Sequence, residues 1–482
     1  MTTEQELPKG WKKTTLGAEF EWSSGGTPKS GIPAYYENGS IHWLNISDLN
    51  DGLVSYAEKK ITELGLQESS AKIVPQGAVL IAIYGSIGKL GINTIPLATN
   101  QAICFTKKIP EYILNKFLFY YLLSIRNQLI TMGKGGTQQN ISQTVLKGVP
   151  FFYPTSKEAQ QAIVNKIESL FAEIDEGIGR LKTAAQQIQQ YRQSLLKNAF
   201  NGELTKEWRS KHADTLPSEN ELLAQIQTTR EQHHAQQLAD WQTAVSQWEQ
   251  NGKEGKKPSK PKKLKEFNQL EGSFSNLPKG WCWVELSGIS SVIRIGPFGS
   301  LLHKADYINN QIPLINPSHI KNGKIIPDFQ LTVSKEKLNE LNNYIMREND
   351  IVIGRRGEMG RCAVVTSNEN GWLCGTGSMF VRPLNSVSSK FYAYIISSER
   401  VKDYLSNSSI GTTMQNLNEK ILQTVPVPLC STQEQLKILR ILDVNLTACD
   451  QLAAELSKQL KQAELLKQAV LKVAFSGGLL DK

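Results

Sequence analysis

The pentapeptide LPKGW occurs at residues 7–11 and again at residues 277–281, and this repetition decides how the fold is organised. A Gly-rich loop follows each copy, SSGGTPKSG at 23–31 and IGPFGSLL at 295–302. One shared pentapeptide is weak evidence of duplication, but a shared order of further blocks is strong evidence. The segments downstream of the two copies therefore have to be compared block by block.

The match continues to the end of both halves. The paired blocks are IHWLNISDL (41–49) with IPLINPSHI (312–320), VLIAIYGSIGK (79–89) with IVIGRRGEMGR (351–361), helix-like segments around 112–131 and 388–406, GGTQQNIS (135–142) with GTTMQNLN (411–418), KGVPFFYP with QTVPVPLC, and NAFNGEL (198–204) with VAFSGGL (473–479). Gly85 and Gly88 fall opposite Gly357 and Gly360. All blocks keep their order at offsets of 270 to 276 residues, which indicates a duplicated unit rather than coincidence.

Each repeat has two parts, a β-rich module and a long helix. Short β-like runs, one helix-like segment and many Gly/Pro turns predict an α+β module. Residues 156–200 then contain no proline, and apolar residues recur every seven positions at Ile167, Ile174, Leu181, Ile188 and Leu195. This spacing predicts a coiled-coil helix. The seam predicted for the second repeat includes Leu442, Cys449, Leu452, Leu456, Ala463, Leu466 and Val470.

Each apolar stripe has to be buried, and the simplest partner for one long helix is the other. A helix of this length spans about 66 Å, so the second helix can pair with the first only by returning along it. The sequence predicts two α+β modules joined by an antiparallel coiled coil, with a pseudo-twofold axis. The predicted segments are module one (1–154), the first long helix (155–204), a joining insert (205–276), module two (277–430) and the second long helix (431–482).

The insert has no counterpart after the second long helix. Residues 221–250 predict a polar helix with Leu, Ile and Trp anchors. Residues 251–265 carry seven lysines and one glutamate among glycines and prolines, which predicts an extended, mobile linker. We interpret the lysine run mainly as a solvated tether, and as a surface that can touch phosphates without specificity.

Composition narrows the class of protein. The chain has 482 residues, 40% of them apolar, and a formal charge of +9, values that fit several folded domains and are compatible with a nucleic-acid partner. No apolar run is long enough to cross a membrane, and the first residues, MTTEQELPKGWKK, do not resemble a signal peptide. We therefore expect a cytoplasmic protein. The six cysteines are scattered, which disfavours both a disulfide framework and a zinc site.

The motifs of DNA-modifying enzymes are missing from the sequence. It contains no Pro-Pro pair, as an amino-methyltransferase motif would require, and no G-x-x-x-x-G-K-[ST] phosphate loop. Pro327–Asp328 is followed by SKEK, which does not match the acid-x-lysine order of common nuclease sites. The histidines do not cluster with carboxylates or cysteines. We predict no catalytic residue, no metal site and no cofactor bound by this chain.

The remaining candidates are DNA-contacting side chains. Arginine suits guanine edges and phosphates, and Asn and Gln suit adenine, while each residue alone also fits a solvated turn or helix cap. His42 and His319 fit local hydrogen bonding or nucleic-acid contact better than metal binding. The predicted contacts are Lys29, His42, Asn45, Lys89, Lys134, Gln138, Gln139 and Asn140 in module one, and Arg294, Lys304, His319, Arg355, Arg356, Arg361, Gln415 and Asn416 in module two.

With these blocks in place, nearly the whole chain resembles the specificity subunit of a type I restriction–modification system. The resemblance rests on the doubled order of LPKGW, the GGTP- or GPFGS-type loop, the G-x-x-G hairpin, the G-T-x-x-x-N/Q block, the proline-containing exit and the A-F-x-G-x-L helix end. One departure is visible at the start of the long helices, where Glu434–Gln435 stands opposite Ala159–Gln160.

The resemblance implies a non-catalytic subunit of a host-defence system. Each module would be a target recognition domain for one half of a split, asymmetric sequence in double-stranded DNA, and the coiled coil would set the gap between the halves. Two modification subunits would dock and methylate adenine with S-adenosylmethionine. Restriction subunits would add translocation and cleavage that use ATP and Mg²⁺.

Two alternatives stay open at this point. The chain could be a DNA-modifying enzyme with an unrecognised active site, or a coiled-coil assembly protein with no nucleic-acid role.

Overall fold

The computed structural model describes residues 8–133, 139–255, 257–264, 266–267, 269–270, 277–408 and 416–479. The chain forms two compact units, Met1–Ala185 with Ala454–Lys482, and Gln186–Ala453. Each unit therefore contains one module, part of the first long helix and part of the second. We call them unit one and unit two.

Module one has small sheets and short helices. Its strands are β1 (Trp11–Thr15), β2 (Glu21–Ser24), β3 (Ile41–Leu44), β4 (Gly52–Val54), β5 (Lys60–Ile61), β6 (Ile73–Val74), β7 (Val79–Ala82), β8 (Leu90–Asn93), β9 (Leu97–Thr99), β10 (Ile103–Lys108) and β11 (Pro150–Pro154). They form sheets of order β2-β10-β7-β8-β4, β5-β3-β9-β6 and β1-β11. Its helices are α1 (Leu16–Glu19), α2 (Glu63–Gln67), α3 (Asn115–Ser124), α4 (Arg126–Thr131) and α5 (Gln143–Gly148).

The first long helix and the insert follow module one. The long helix is α6 (Lys157–Phe200), and the insert contains α7 (Lys206–Lys211) and α8 (Glu219–Gln250). Ser218 accepts a hydrogen bond from the backbone of Glu221, and the Glu221 side chain accepts one from the backbone of Ser218. This reciprocal capping box fixes the start of α8.

Module two repeats the plan of module one. Its strands are β12 (Cys282–Glu285), β13 (Ser290–Ile295), β14 (Ile312–Ile315), β15 (Ile320–Lys321), β16 (Lys324–Ile325), β17 (Thr332–Val333), β18 (Ile351–Gly354), β19 (Cys362–Val364), β20 (Leu373–Cys374), β21 (Ser378–Pro383) and β22 (Pro426–Leu429). The sheet orders are β13-β21-β18-β19, β17-β14-β20, β15-β16 and β12-β22. The helices are α9 (Lys335–Glu340), α10 (Ser389–Ile396), α11 (Glu399–Ser408), α12 (Glu419–Gln423) and the second long helix, α13 (Thr432–Phe475).

The two modules share unusual details of their sheets. A parallel pair joins β3 to β9 in module one and β14 to β20 in module two, although most neighbouring strands are antiparallel. In each module the entering strand pairs with the proline-containing exit strand, β1 with β11 and β12 with β22. Proline is tolerated there because these are two-stranded sheets with free edges. The predicted duplication of an α+β module is confirmed.

The long helices pair in antiparallel order within each unit. In unit one, Lys467 of α13 donates to Asp175 of α6, while Ile167 near the start of α6 shares a core with Leu471 and Ala474 near the end of α13. In unit two, Arg192 pairs with Asp450, and Thr205, just beyond α6, bonds to Glu434 at the start of α13.

Burial of the predicted seam varies along the helices. Ile167, Leu195 and Leu442 are buried, whereas Ile174, Leu181, Ile188, Leu456 and Val470 are half-buried. Leu452 and Leu466, also predicted in the seam, are 56% and 52% exposed. Their neighbours Ala453 and Lys467 are the less exposed residues, which keeps the alternating spacing of four and three. Lys467 lies over the ring of Phe171 and pairs with Asp175, so its stem replaces leucine there.

The LPKGW pentapeptides dock on the ends of the long helices. In both copies the tryptophan amide donates to the proline carbonyl at 3.1 Å, and Gly10 and Gly280 have φ of 85° and 83°. In unit one Pro8 packs on Gly477 at the end of α13, and in unit two Pro278 packs on Gly202 at the end of α6. The first copy thus packs on the end of the second long helix, and the second copy packs on the end of the first long helix.

A buried glutamine repeats at the start of both long helices. Gln160 accepts from the Leu114 amide at 2.9 Å and donates to the Pro154 carbonyl at 3.0 Å. Gln435 accepts from the Ser388 amide at 2.9 Å and donates to the Cys430 carbonyl at 2.9 Å. The same side chain therefore ties module to helix in both units.

Glu434, the residue that departs from the first repeat, has partners of its own. Its carboxylate accepts from Thr205 Oγ1 at 2.6 Å, Arg209 at 2.6 Å and the Trp281 indole at 2.8 Å. The side chain is 2% exposed and that of Arg209 is 15% exposed. Glu434 thus joins the insert, the second LPKGW and the start of α13, a junction that Ala159 cannot reproduce.

Residues 251–265, predicted as an extended, mobile linker, contact α8 where the structure describes them. The described residues run back along α8, where Trp241 and Trp248 donate indole N–H groups to the carbonyls of Pro258 and Gly255 at 3.1 and 3.3 Å. The two tryptophans thus hold the segment against the helix. The tryptophans predicted as anchors of a helix in fact anchor this returning strand.

Replacing Gly202 by alanine is expected to destabilise unit two by about 1–3 kcal/mol, because φ is +74° and a Cβ would overlap Pro278. Gly179→Ala is the matched control, since it lies inside α6 with open space where the added Cβ would lie, and should stabilise by about 0.5–1 kcal/mol. Denaturant unfolding of the full chain measures both, and shifts of the same sign would contradict the packing described.

Glu434→Ala is expected to cost about 3–5 kcal/mol, because it strands a largely buried arginine and leaves the Trp281 indole without its acceptor. Glu455→Ala on the same helix removes a 52%-exposed carboxylate that pairs with Lys458 and accepts from exposed Gln459, and should change stability by less than about 0.5 kcal/mol. Thermal unfolding of the two variants compares them directly. Equal midpoints would show that Glu434 is not a structural junction.

Candidate nucleic-acid interface

A glycine hairpin occupies the same place in each module. In module one it joins β7 to β8, with φ of +69° at Gly85 and +82° at Gly88. In module two it joins β18 to β19, with φ of +79° at Gly357 and +73° at Gly360. Positive φ favours glycine, which explains the G-x-x-G spacing in both repeats.

The segment after each Gly/Thr loop lies against this hairpin. The Ile141 amide donates to the Ile83 carbonyl at 3.0 Å, and the Leu417 amide donates to the Arg355 carbonyl at 3.1 Å. Ile83 and Arg355 both stand two residues before the first turn glycine. The structure therefore brings two predicted DNA-contact blocks together, once in each module, although they are more than 50 residues apart in sequence.

In module one the hairpin borders a small depression of about 190 Å³ lined in part by Lys89, Arg126 and Gln139. Arg126 donates Nε to the Gly88 carbonyl at 2.8 Å and Nη1 to Asp51 at 3.0 Å. These bonds hold the turn against the start of α4. Lys89 and Gln139 are thus predicted residues that the fold brings together, and Asn140 lies beside them in a bridge with Tyr84.

In module two the arginines differ in their surroundings. Arg355 is half-buried and donates Nε to the Leu417 carbonyl at 2.9 Å. Burial, and then the neighbouring Arg356 cation, lowers the pKa of the Arg355 guanidinium. Arg356 is exposed and donates Nε to Asn416 at 2.6 Å. Arg355 therefore braces the segment after the loop, and Arg356 presents its guanidinium at the surface.

Arg361 closes the other side of the turn. It donates Nη1 to the Pro317 carbonyl at 3.2 Å and pairs with Glu358 at 3.1 Å. The Asn316 side chain, next to Pro317, accepts from the Gly377 amide at 3.2 Å. Arg361 is consequently adjacent to the turn that follows β14.

Asn45 occupies the corresponding turn of module one, where its side chain accepts from Asn100 at 3.3 Å and its amide donates to Asp48 at 2.7 Å. The predicted histidines are engaged locally. His319 is buried, and its Nδ1 accepts from the Asn316 amide at 3.3 Å. The half-buried His42 contacts the backbone of Ala57 through Nδ1. These contacts favour a local structural role for both rings.

Three predicted residues lie away from the hairpins. Lys29 is exposed in the GGTP loop, and Lys304 is exposed at the single turn Lys304–Asp306. Arg294 lies on β13 and donates to the Asn343 carbonyl at 2.8 Å. Lys134, Gln138 and Gln415 lie outside the described residues. DNA contact by any of these side chains stays a prediction.

Sequence reasoning missed three residues of this candidate interface. Tyr84 occupies the position of Arg356 and is 44% exposed. Arg126 and Lys402 are also equivalent, because a Cβ on Gly88 or Gly360 would meet their Cγ atoms at 2.9 and 2.8 Å. The repeat itself carried this signal, since matching the turn glycines places Tyr84 opposite Arg356.

Within the described part of the chain, no three His, Cys, Asp or Glu side chains are placed to hold a metal ion. The six cysteines are free and buried. Among the helices described, none is both long and apolar enough to span a bilayer. Each module offers surface cations and amides beside a rigid turn, a set suited to contact with nucleic-acid phosphates and base edges.

The fold and this repeated surface define a two-module nucleic-acid recognition protein. The family model described as "Type I restriction modification DNA specificity domain" matches residues 8–182 and 278–462. The chain belongs to this family and carries the domain twice. It is a member of the non-catalytic class of subunits, which recognise DNA for type I restriction–modification systems.

Individual relatives agree with this assignment. The chain is 23% identical over 478 residues to the Type I restriction enzyme EcoDI specificity subunit of Escherichia coli, covering 98% of this chain and 90% of that protein. It is 31% identical over 195 residues to the EcoR124I/EcoR124II specificity subunit of Escherichia coli, covering 39% of this chain and 47% of that protein.

Solved structures share the fold. One, from work on complex assembly and conformational transition of the type I R-M system, has a TM-score of 0.68 at 18% identity, covering 98% of this chain and 100% of that one. The HsdS subunit from Thermoanaerobacter tengcongensis has a TM-score of 0.51 at 18% identity, covering 98% and 99%. At this identity the likeness concerns the fold alone.

Arg356→Ala is expected to weaken DNA binding of the assembled complex by about 1–3 kcal/mol at one half of the target, with little change in stability. Arg355→Ala should instead lower stability by about 1–2 kcal/mol, because the Leu417 carbonyl loses a charged donor. Arg347→Ala, which removes another exposed arginine of module two, is the charge control. Competition binding with each half of the target scrambled separates these effects, and equal losses from Arg356→Ala and Arg347→Ala would contradict a specific role for Arg356.

Proposed function

We propose that this chain reads a split, asymmetric target in double-stranded DNA, one half-site per module, and acts in the cytoplasm as the scaffold of a type I restriction–modification complex. The observation that carries the proposal is the hairpin surface built twice on the same backbone plan. Repetition of the backbone provides two similar docking surfaces for duplex DNA. Because their exposed side chains differ, the two surfaces would bind two different half-site sequences.

The difference between the two surfaces is concrete. Tyr84 stands where Arg356 stands in module two. A phenol and a guanidinium present different donors and charge to a base edge. Because the two modules of one chain present different side chains to DNA, they favour an asymmetric target over a palindrome.

The proposal assigns the chemistry to partner subunits. Two modification subunits would dock on the duplicated helical parts, because two similar surfaces in one chain can bind two identical partners. They would methylate adenine with S-adenosylmethionine, and restriction subunits would translocate and cleave DNA with ATP and Mg²⁺. The paired long helices would set the number of base pairs between the half-sites.

Methylome sequencing of cells that express the chain with its modification partner tests the assignment. The expected result is one methylated, bipartite motif that disappears when the chain is deleted.

Seven-residue insertions in both long helices, after Ala185 and after Ala453, preserve the seam spacing and add about 10 Å, or about three base pairs. We expect a motif with a longer spacer and unchanged half-sites.

Two results would count against the proposal. A methylome in which no motif depends on the chain would show that the chain does not recognise a DNA sequence. Changed half-site sequences in the insertion variant would show that the long helices take part in base reading rather than in spacing.

A further inference from the structure

The insert builds an arm on module two. Leu222 and Ile226 near the start of α8 are buried in the core of unit two. At the returning end, the Leu270 amide donates to the Trp283 carbonyl at 2.8 Å, and Phe267 packs so closely on Gly288 that a Cβ there would overlap its ring. Both ends of the arm are therefore anchored in the module.

Between these anchors, α8 carries the returning strand along its length. Beyond Arg230, which lies over the Phe267 ring at 5.0 Å, about 20 residues of α8 extend over about 30 Å. Trp248 and Trp241 donate to the carbonyls of Gly255 and Pro258, and His234 Nε2 lies 2.9 Å from the Lys262 carbonyl. The three contacts hold the strand in register with the helix. We call α8 with residues 251–270 the basic arm.

The returning strand is a row of exposed cations. Lys257, Lys260, Lys262 and Lys263 are all exposed, and the sequence has no Asp or Glu between 255 and 265. None of these four lysines takes part in a salt bridge among the described residues. Lys257 and Lys260 lie beside the Trp248 and Trp241 rings at 5.8 and 5.5 Å, which restricts their stems while leaving the ammonium groups in solvent.

The arm adjoins a predicted DNA contact of module two. Lys262, Lys263 and Trp241 line the same cavity, of about 930 Å³, as Arg294 on β13. Cations of the arm and of the module border this concave surface together with the carboxylates of Asp240, Glu266, Glu285 and Glu419, so the exposed lysine row, rather than the cavity, carries the excess positive charge. Lys257, Lys260 and Lys263 recur at three-residue intervals along the segment, which gives a polyanion several cations to contact.

The surface chemistry favours nucleic acid over a protein partner. Protein–protein interfaces are depleted in lysine and depend on exposed aromatic anchors. Here the tryptophans are half-buried under their own strand, and the residues exposed between 257 and 264 are Ser259 and the four lysines. Lysine ammonium groups act on phosphates as point charges and do not select a base.

We propose that the basic arm binds phosphates of double-stranded DNA beside the half-site read by module two, without reading sequence. The inference rests on the proposed function, because it assigns the arm to the DNA that module two recognises. The arm adds affinity to one half of the target only. Pinning of the strand along α8 lowers the ordering entropy lost on binding.

The test is the salt dependence of DNA binding by the assembled methyltransferase complex. The variant K257Q/K260Q/K262Q/K263Q removes four charges at exposed positions, and the matched control K257R/K260R/K262R/K263R keeps them. The slope of log binding constant against log salt should become shallower by about 0.9 for each lysine that neutralises a phosphate, so by up to about 3.6. The arginine control should keep the original slope.

Three further measurements identify the partner. Trimming the duplex beside the half-site of module two should abolish the difference between variant and wild type, whereas trimming beside the other half-site should not. Scrambling either half-site should cost the same factor in variant and wild type, because the arm does not read bases. Native mass spectrometry should show unchanged subunit composition.

The outcomes are separable. Identical salt slopes for the glutamine variant and wild type would overturn the inference, as would loss of a subunit with an unchanged slope, which would indicate a protein-docking arm. A wild-type complex with no preference between target and scrambled DNA would instead remove the proposed function.

If the glutamine variant unfolds, W241F/W248F is the second variant. It keeps every charge but loses the indole donors to Pro258 and Gly255, and its binding should weaken severalfold while the arm becomes sensitive to trypsin.

Discussion

Each long helix carries one apolar seam, and burial of that seam is the constraint on which the rest of the structure depends. A helix of 44 residues with one exposed stripe is not stable by propensity alone and needs a tertiary partner. The seams of the two helices match in length and spacing, and their antiparallel pairing places part of each helix in each unit. The module cores then extend the seam, as Ile163 and Ile167 do beside Phe117 and Phe151 in unit one.

The two modules show which features the repeat retains and which it varies. Backbone geometry is retained at the turn glycines, at the buried Gln160 and Gln435, and at the proline–glycine contacts of the LPKGW copies. Exposed side chains vary at the same positions. This division follows from physical chemistry, because positive φ and buried hydrogen bonds tolerate few residues while a solvated side chain tolerates many.

Much of the architecture could be predicted from the sequence, because periodicity and repetition are local signals. The heptad spacing predicted both long helices, and the repeated blocks predicted two modules of one fold. The details that failed depend on tertiary contacts. By sequence Leu452 and Leu466 are the more apolar choices, and only packing assigned the seam to Ala453 and Lys467. The strand after α8 had the composition of a tether, and no local signal indicated that Trp241 and Trp248 would bind its carbonyls. Arg355 and Arg356, adjacent and chemically identical in the sequence, are separated in role by burial alone.

The contact of Pro8 with Gly477 has a topological consequence. Because Pro278 makes the same contact with Gly202, the two junctions between helix and module are locally alike. Order along the backbone is therefore a weak determinant of this architecture. A circularly permuted chain would run from Gly477 into Pro8 and would be opened between Gly202 and Pro278. It would bury the same surfaces, and in this sense either module could come first in the chain.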